Sequence, residues 1–103
     1  MGIIYKATCK INDKCYIGKS GSLTVQDRKK CHEYNALKRN WKGKFYNAIR
    51  KYGTENFIWE KLFEVNNTDL AEMETETIKA FDSYENGYNL KLESLYQMNI
   101  RKS

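Results

Sequence analysis

Residues 2–20 read GIIYKATCKINDKCYIGKS, and this stretch decides the fold. Side chains alternate with a period of two over residues 3–11, which is typical of a β-strand. Asn12 and Asp13 follow as a turn signal, and residues 14–20 then form a second short strand. The stretch therefore predicts an antiparallel hairpin at the start of the chain.

The expected register of this hairpin follows from the place of its turn at Asn12-Asp13, and a two-residue or a four-residue loop there gives the same pairs. A two-residue turn pairs Ile11 with Lys14, which places Cys9 opposite Tyr16. In this register Tyr5 and Tyr16 lie on the same face of the sheet, because side chains two residues apart share a face. We therefore expect two phenol groups on one face of the hairpin. By the same register Ala7 would face Gly18, a glycine whose place inside a strand is typical of a bulge or a close backbone approach.

The rest of the chain predicts three helices and one more strand. Thr24 can cap a helix that ends near Leu37, and Gly53 is a suitable C-terminal stop for a helix over residues 43–52. Residues 57–65 predict the strand, and Asn67 or Thr68 can cap a helix that ends near Phe81. The order β-β-α-α-β-α predicts an α/β (α+β) domain with a small three-stranded antiparallel sheet flanked by three helices. We place this domain at residues 1–90, and residues 91–103 are expected to be a tail or the start of a linker.

Length and composition exclude several classes of protein. A chain of 103 residues favours a single domain, and an aromatic content of 14% is too high for a disordered chain. The sequence contains no run of about 18 apolar residues, so no transmembrane helix is predicted. Three cysteines without a CxxC spacing do not suggest a disulfide framework, so we expect a reducing, cytoplasmic setting and no membrane partner.

Positive charge is concentrated in the middle of the chain. Residues 26–51 carry nine basic and two acidic residues, a net charge of +7, whereas residues 52–103 carry five basic and ten acidic residues, a net charge of −5. A basic segment with interleaved aromatic residues suits a nucleic-acid backbone, and a solvated helical surface is the competing interpretation. Besides Arg28, the candidate DNA-binding residues are Lys29, Lys30, Lys38, Arg39, Lys42, Lys44, Arg50 and Lys51.

Glu74 falls on the apolar side of the last predicted helix. With about 100° per residue, Glu74 lies about 40° from Leu70, inside the apolar stripe, whereas Glu72 and Glu76 fall on the solvent side. A buried carboxylate requires a cation, a metal or hydrogen-bond donors. Two interpretations stay open from this helix alone: a ligand for a hard metal ion, or a glutamate at the edge of the stripe that reaches water or pairs with an arginine.

Arg28 and His32 are four residues apart and therefore point from the same side of the first predicted helix. His32 is the single histidine of the chain, and one histidine next to a cysteine does not make a zinc site. It is either a surface histidine or a group that contacts phosphate or takes part in catalysis.

Several short motifs follow one another along residues 2–90. They are Ile3-Ile4-Tyr5, Tyr16-Ile17-Gly18, Arg28 to His32, Lys51-Tyr52-Gly53, Glu74, Ile78-Lys79 and Asn86-Gly87-Tyr88-Asn89. In their order and spacing these motifs resemble the GIY-YIG nuclease family, and the Arg-x-x-x-His pair with the Asn-Gly-Tyr-Asn ending is most similar to the homing-endonuclease branch. Ile3 stands where the family usually has a glycine.

The resemblance implies hydrolysis of phosphodiester bonds in double-stranded DNA with Mg²⁺ or Mn²⁺. By the same resemblance, Glu74 is the metal ligand, Arg28 binds the phosphate and Tyr5 is the candidate general base. A free phenol has a pKa of about 10, so a base role for Tyr5 requires a nearby cation, for which Lys19 or the metal is a candidate.

Three further residues complete the expected site. The resemblance implies that Tyr16 and His32 position water or phosphate, and that Asn89 organises the site through hydrogen bonds. Alternation along the strand places Lys19 on the face opposite Tyr16, unless Gly18 marks a bulge that turns it inward.

The resemblance also implies a bacterial, phage or viral context. Homing enzymes of this kind usually continue into a linker and a DNA-binding module, so an additional DNA-binding domain outside this chain is one expectation, and the oligomeric state stays open. The alternatives are a restriction or repair nuclease of the same fold, or a non-catalytic nucleic-acid-binding module that uses the basic segment.

Overall fold

The computed structural model describes residues 1–21 and 24–89. These residues form three strands and three α-helices in the predicted order, which confirms the α/β fold class with its single three-stranded antiparallel sheet. Leu90 and the predicted tail, residues 91–103, lie outside the described residues. The elements are β1 (Gly2–Cys9), β2 (Cys15–Ser20), α1 (Gln26–Leu37), α2 (Lys44–Tyr52), β3 (Phe57–Val65) and α3 (Leu70–Phe81).

The sheet is covered on both faces, because the alternating side chains of its strands are apolar on each side. Its strand order is β2-β1-β3, so β1 is central. One face packs against α1 and α2 around a cluster that includes Ala7, Cys9, Ala36, Phe45, Ala48 and Ile49. The other face packs against α3 through Ile4, Cys15, Ile17 and Ile78. Each helix therefore carries its side chains to a defined face of β1.

The predicted hairpin register is wrong by two residues. Tyr16 lies opposite Ala7, not Cys9, and Gly18 lies opposite Tyr5, not Ala7. Because a shift of two residues keeps each side chain on its face, Tyr5 and Tyr16 do share a face as expected.

The shift arises because the turn is centred one residue earlier than Asn12-Asp13, so that residues 10–13 lie between Cys9 and Lys14. The backbone N–H of Cys9 donates to the carbonyl of Lys14 (2.9 Å), and that of Asp13 donates to the carbonyl of Cys9 (2.8 Å). Asp13 adopts φ 64°, a left-handed conformation that aspartate tolerates better than most residues.

The helix ends agree with the predictions better than the helix starts. Gly53 ends α2 with φ 90°, and its N–H donates to the carbonyl of Ile49 (2.9 Å), which is the expected glycine stop. However, Val25 and not Thr24 occupies the N-cap position of α1. Likewise α3 begins at Leu70 after a short 3₁₀ turn, Asn67–Asp69, so that Asp69 replaces Asn67 or Thr68 as the N-cap.

The segment after α3 closes the open edge of β2. The side chain of Asn89 accepts a hydrogen bond from the Ile17 N–H (2.8 Å) and donates to the Ile17 carbonyl (2.9 Å), so one amide group replaces a neighbouring strand. The backbone N–H of Tyr88 donates to the carbonyl of Cys15 (2.8 Å). The Ser83 hydroxyl also donates to Asn89 Oδ1 (2.7 Å). These bonds satisfy backbone groups that an edge strand otherwise exposes.

The cysteines carry free thiols. Cys9 and Cys15 are buried and pack as small apolar side chains, whereas Cys31 is exposed on α1. Among the described residues, no helix has the length and apolar character needed to cross a membrane.

Candidate active site

Tyr5 lies in the centre of β1 and is only 1% exposed. Its ring passes over Gly18 on the neighbouring strand. A Cβ atom built at Gly18 would lie 2.3 Å from Tyr5 Cζ, so only glycine leaves room for the ring. Gly18 therefore marks a close approach of side chain to backbone and not a bulge, since the β1–β2 register continues through it without a shift.

His32 connects two phenols. Its Nε2 lies 2.8 Å from the Tyr5 hydroxyl, and its Nδ1 lies 3.1 Å from the Tyr46 hydroxyl. The imidazole is 3% exposed and is surrounded by aromatic rings. These rings belong to Tyr5, Tyr16, Phe45, Tyr46 and Trp59.

The protonation state of His32 follows from these surroundings. Burial lowers the pKa of His32 to about 4, and the nearby positive charge of Arg28 acts in the same direction. The imidazole is therefore neutral at pH 7. In the neutral ring one nitrogen donates and the other accepts, so one phenol donates to His32 while the other accepts from it.

Arg28 lies beside His32 as the four-residue spacing predicts. A hydrogen bond between its side chain and the Tyr5 hydroxyl is the main factor that raises the pKa of Arg28. The Nε atom of Arg28 is buried and has no hydrogen-bond partner among the described atoms. An unpartnered buried donor on a permanent cation is unfavourable in the free protein, and an anionic oxygen would satisfy it.

The two sheet tyrosines have phenols that resist ionisation. Burial raises the pKa of Tyr5 to about 12, although the hydrogen bond and the charge of Arg28 act to lower it. Burial likewise raises the pKa of Tyr16 above its ordinary value. Desolvation therefore outweighs the effect of the guanidinium on the Tyr5 phenol, and the expectation that Lys19 or a metal ion lowers this pKa stays a prediction.

Glu74 is buried, as its place on the helical wheel predicts. It is 9% exposed, whereas Glu72 and Glu76 are exposed. Its Oε1 lies 3.2 Å from Nζ of Lys19, so a lysine on β2 is one partner of this carboxylate. The negative charge of Glu74 acts to raise the pKa of both Tyr5 and Tyr16. The carboxylate therefore lies within electrostatic range of the phenols, although α3 covers the opposite face of the sheet.

Lys19 occupies the face that strict alternation predicts. It pairs with Ile4 in the sheet and reaches Glu74 from there. The alternative, in which a bulge at Gly18 turns Lys19 toward Tyr5, is wrong because the hairpin has no irregularity at this point. Asn89 likewise acts at a distance from the phenols, since its amide binds the backbone of Ile17, next to Tyr16.

The basic residues of the middle segment differ in their surroundings. Arg50 donates to the carbonyl of Ala36 (2.7 Å) and thereby joins α2 to α1. Arg39 lies over the rings of Tyr34 (5.3 Å) and Trp41 (5.4 Å) at the surface. The exposed members are Lys30, Lys38, Arg39, Lys42, Lys44 and Lys51, whereas Lys29 and Arg50 are half-buried.

Two residues outside the predicted set also contribute to the site. Tyr46 holds His32 from α2, and the Trp59 ring stacks against His32 with a centroid distance of 5.8 Å. The Trp59 Nε1 atom is buried without a partner among the described atoms. No pattern in the sequence marks either residue, because Tyr46 lies beside the apolar stripe of α2 and Trp59 resembles any half-buried strand aromatic.

Comparison with known proteins adds independent evidence. No protein-family model and no curated protein matches the sequence significantly. Two similar solved structures are the catalytic domain of the homing endonuclease I-TevI (26% identity, TM-score 0.76, 88% of this chain and 99% of that chain) and a glutamate-to-alanine mutant of the same catalytic domain (26% identity, TM-score 0.79, 91% of this chain and 98% of that chain). I-TevI is a GIY-YIG homing endonuclease, so the resemblance to this family is confirmed.

Proposed function

We propose that this chain is a DNA endonuclease that hydrolyses phosphodiester bonds of double-stranded DNA with Mg²⁺ or Mn²⁺, as the catalytic part of a homing-type or phage-type enzyme. The observation that carries the proposal is the unpartnered, buried Nε donor of Arg28, which lies beside the Tyr5–His32 pair. The similarity to the I-TevI catalytic domain over 91% of the chain supports it.

Arg28 binds the scissile phosphate in this proposal. Its guanidinium remains charged at any pH at which the protein is folded, and its planar group of donors matches two phosphate oxygens. The free Nε donor then receives the acceptor that it lacks in the protein alone. Negative charge that develops on the phosphate during attack strengthens this interaction.

Tyr5 and His32 activate the attacking water together. The His32 tautomer with a proton on Nδ1 donates to the Tyr46 hydroxyl, which leaves Nε2 free to accept from the Tyr5 hydroxyl. As the water oxygen forms its bond to phosphorus, its proton passes to Tyr5 Oη while the Tyr5 proton passes to His32 Nε2. The bond from phosphorus to the 3′ oxygen breaks, and that oxygen takes a proton from solvent. The high pKa of Tyr5 is no obstacle, because the phenol never exists as a free phenolate.

Glu74 fits a magnesium ion by its donor chemistry. Mg²⁺ typically uses one or two carboxylates together with waters and substrate oxygens, so a site with a single protein carboxylate is adequate. The described residues contain no cluster of three or more histidine, cysteine, aspartate or glutamate side chains, and the proposal uses Glu74 alone. When bound there, the ion would supply positive charge to the phosphate and the leaving oxygen. Nζ of Lys19 lies 3.2 Å from the same carboxylate and places positive charge beside it.

A plasmid nicking assay with purified protein tests this function. We expect nicking with Mg²⁺, no nicking with EDTA, and loss of at least about 100-fold in rate for Arg28→Ala and Glu74→Ala. Glu76→Ala is the matched control, since Glu76 lies on the same helix but is exposed. Circular dichroism would show that each variant is folded. Wild-type nicking by either variant refutes the role given to that residue, and DNA binding without any nicking would identify a non-catalytic binding module.

A further inference from the structure

A cleft of about 250 Å³ lies between α2 and the tip of the β1–β2 hairpin, apart from the Tyr5–His32 pair. Three lysines converge on it: Lys14 from the hairpin and Lys44 and Lys51 from α2. We call it the lysine cleft. None of the described residues that line it is acidic, and two asparagine side chains, Asn12 and Asn47, add neutral polar groups.

The helical wall of the lysine cleft follows from sequence spacing. Lys44, Asn47, Ala48 and Lys51 lie at positions i, i+3, i+4 and i+7, which share one face of a helix. The short side chain of Ala48 leaves space between the longer ones. Lys44 and Lys51 are about 10 Å apart along the helix axis, at about 1.5 Å per residue. This is about three times the rise of about 3.4 Å between successive phosphates of one DNA strand.

The opposite wall is held by hydrogen bonds. The Asn12 side chain donates from Nδ2 to the Tyr88 hydroxyl (2.8 Å), and its Oδ1 accepts from the backbone N–H of Lys14 (3.0 Å). Tyr88 is itself anchored to the carbonyl of Cys15 (2.8 Å). Lys14 therefore extends from a fixed turn, and the cleft exists before any ligand binds.

The lysine cleft carries uncompensated positive charge. Lys44 donates to the backbone carbonyl of Tyr84 (3.0 Å), which leaves its charge in place. Lys51 lies over the ring of Tyr52 at 5.2 Å. Among the described residues, none of the three cleft lysines forms an ion pair; the lysines that do are Lys6, Lys19 and Lys61. Three neighbouring cations repel one another, so a polyanion is the complementary ligand.

The lysine cleft also leads toward the active site. A second hollow, of about 170 Å³, shares Lys44 and Tyr88 with the cleft and is lined by Tyr16 and Tyr46. Tyr16 stands next to His32, with a centroid distance of 5.3 Å. A DNA strand that binds at Arg28 could therefore pass Tyr16 and this mainly aromatic hollow and reach the cleft at Lys44.

We propose that the lysine cleft binds backbone phosphates of the DNA substrate that flank the scissile phosphate. This inference rests on the proposed function, and it assigns to Lys14, Lys44 and Lys51 a role in binding that is separate from the chemistry at Arg28 and Glu74. Lys14 is not part of the basic middle segment, and the fold alone brings it to the other two lysines.

Fluorescence anisotropy with a labelled DNA duplex in EDTA tests the proposal without cleavage. The test variant is Lys14→Gln/Lys51→Gln, and the control with the same change in charge is Lys10→Gln/Lys79→Gln, at exposed positions that do not line the cleft. The test variant should lose about tenfold or more in affinity, and its slope of log K against log salt should become shallower by about 0.9 for each phosphate contact that is lost. Lys14→Arg/Lys51→Arg should retain binding, which separates loss of charge from misfolding.

The outcomes separate this inference from the proposed function. If the wild-type protein nicks plasmid but the test variant binds the duplex with wild-type affinity and salt slope, the lysine cleft plays no part and the inference is overturned. If the test variant and the charge-matched control lose affinity equally, only net charge matters and the inference is also overturned. If inorganic phosphate at the buffer's ionic strength displaces the duplex as effectively as unlabelled DNA, the cleft binds free phosphate instead. A wild-type protein that does not nick but shows the lysine-dependent slope would uphold the cleft and refute the nuclease.

Discussion

Protonation of His32 should destabilise the protein at acidic pH by a predictable amount. The pKa of His32 falls from an ordinary 6.5 to about 4 in the folded protein because the ring is buried beside Arg28. The unfolded chain therefore binds one more proton than the folded protein between these two values. By linkage, the free energy of unfolding rises with pH in this window and falls as the pH is lowered.

The magnitude follows from the size of the shift. Each pKa unit corresponds to about 1.4 kcal/mol, so a shift from 6.5 to about 4 predicts a loss of about 3 kcal/mol between pH 6.5 and pH 4. For a small domain with a total stability of about 5–15 kcal/mol, this is a large fraction. Above about pH 7.5, where the ring is neutral in the unfolded chain as well, the contribution of His32 should be constant.

Urea unfolding at a series of pH values measures this loss. Carboxylates also titrate near pH 4, so the informative quantity is the difference between the wild-type protein and His32→Phe, which keeps an aromatic ring in the aromatic surroundings of position 32. Because His32 is the single histidine of the chain, one NMR titration of its ring protons gives the folded pKa directly. A measured pKa near 6.5, or parallel stability curves for the two proteins, would refute the reasoning, and a pKa well above 7 would also refute the role of His32 as a neutral acceptor for Tyr5.

Three further predictions follow from the same contacts. Gly18→Ala should place a Cβ against the Tyr5 ring, lower the free energy of unfolding in urea by about 1–3 kcal/mol and abolish nicking. Gly21→Ala is the control and should be tolerated, because a Cβ there meets nothing within 4 Å. Equal stability of the two variants would contradict the close approach of Tyr5 to Gly18. Tyr46→Phe removes the hydrogen-bond partner of His32 Nδ1, so this variant should keep its fold but nick about tenfold more slowly, with a changed pH profile of the rate. An unchanged pH profile would show that Tyr46 does not position His32. Asn89→Ala should lose three side-chain hydrogen bonds and lower the free energy of unfolding by about 2–3 kcal/mol. In this variant the backbone amide hydrogen of Ile17 should exchange faster with solvent. Unchanged protection of that amide would show that the edge of β2 does not depend on Asn89.

Periodicity predicted the element order of this protein because each element has a clear face. The period-two pattern of residues 3–11 and the stripe of Phe45, Ala48 and Ile49 on α2 each identify a buried side. The hairpin register was not predictable in this way, because a shift of two residues leaves every side chain on the same face. The choice depended on the turn, in which Asp13 takes a left-handed conformation that the sequence only permits.

The candidate site was predictable to the extent that its groups are unusual for their positions. An acid on an apolar stripe needs a partner, which distinguishes Glu74, and helical spacing brings Arg28 and His32 together. One partner of Glu74, Lys19, and one partner of His32, Tyr46, come from other elements, and no local pattern shows which side chains meet across a fold. The raised pKa of Tyr5 also depends on burial by residues that are remote in sequence.

The amide of Asn89 reaches back across 72 positions to hold Ile17. During translation, Tyr5 and Tyr16 of the first two strands are therefore synthesised long before Asn89, the residue whose side chain holds β2 in place. We expect a nascent or shortened chain that ends before this point to be a poor nuclease even though Tyr5, Arg28 and Glu74 are all present. Nuclease activity would then appear only late in synthesis, when nearly the whole domain has been made and can fold.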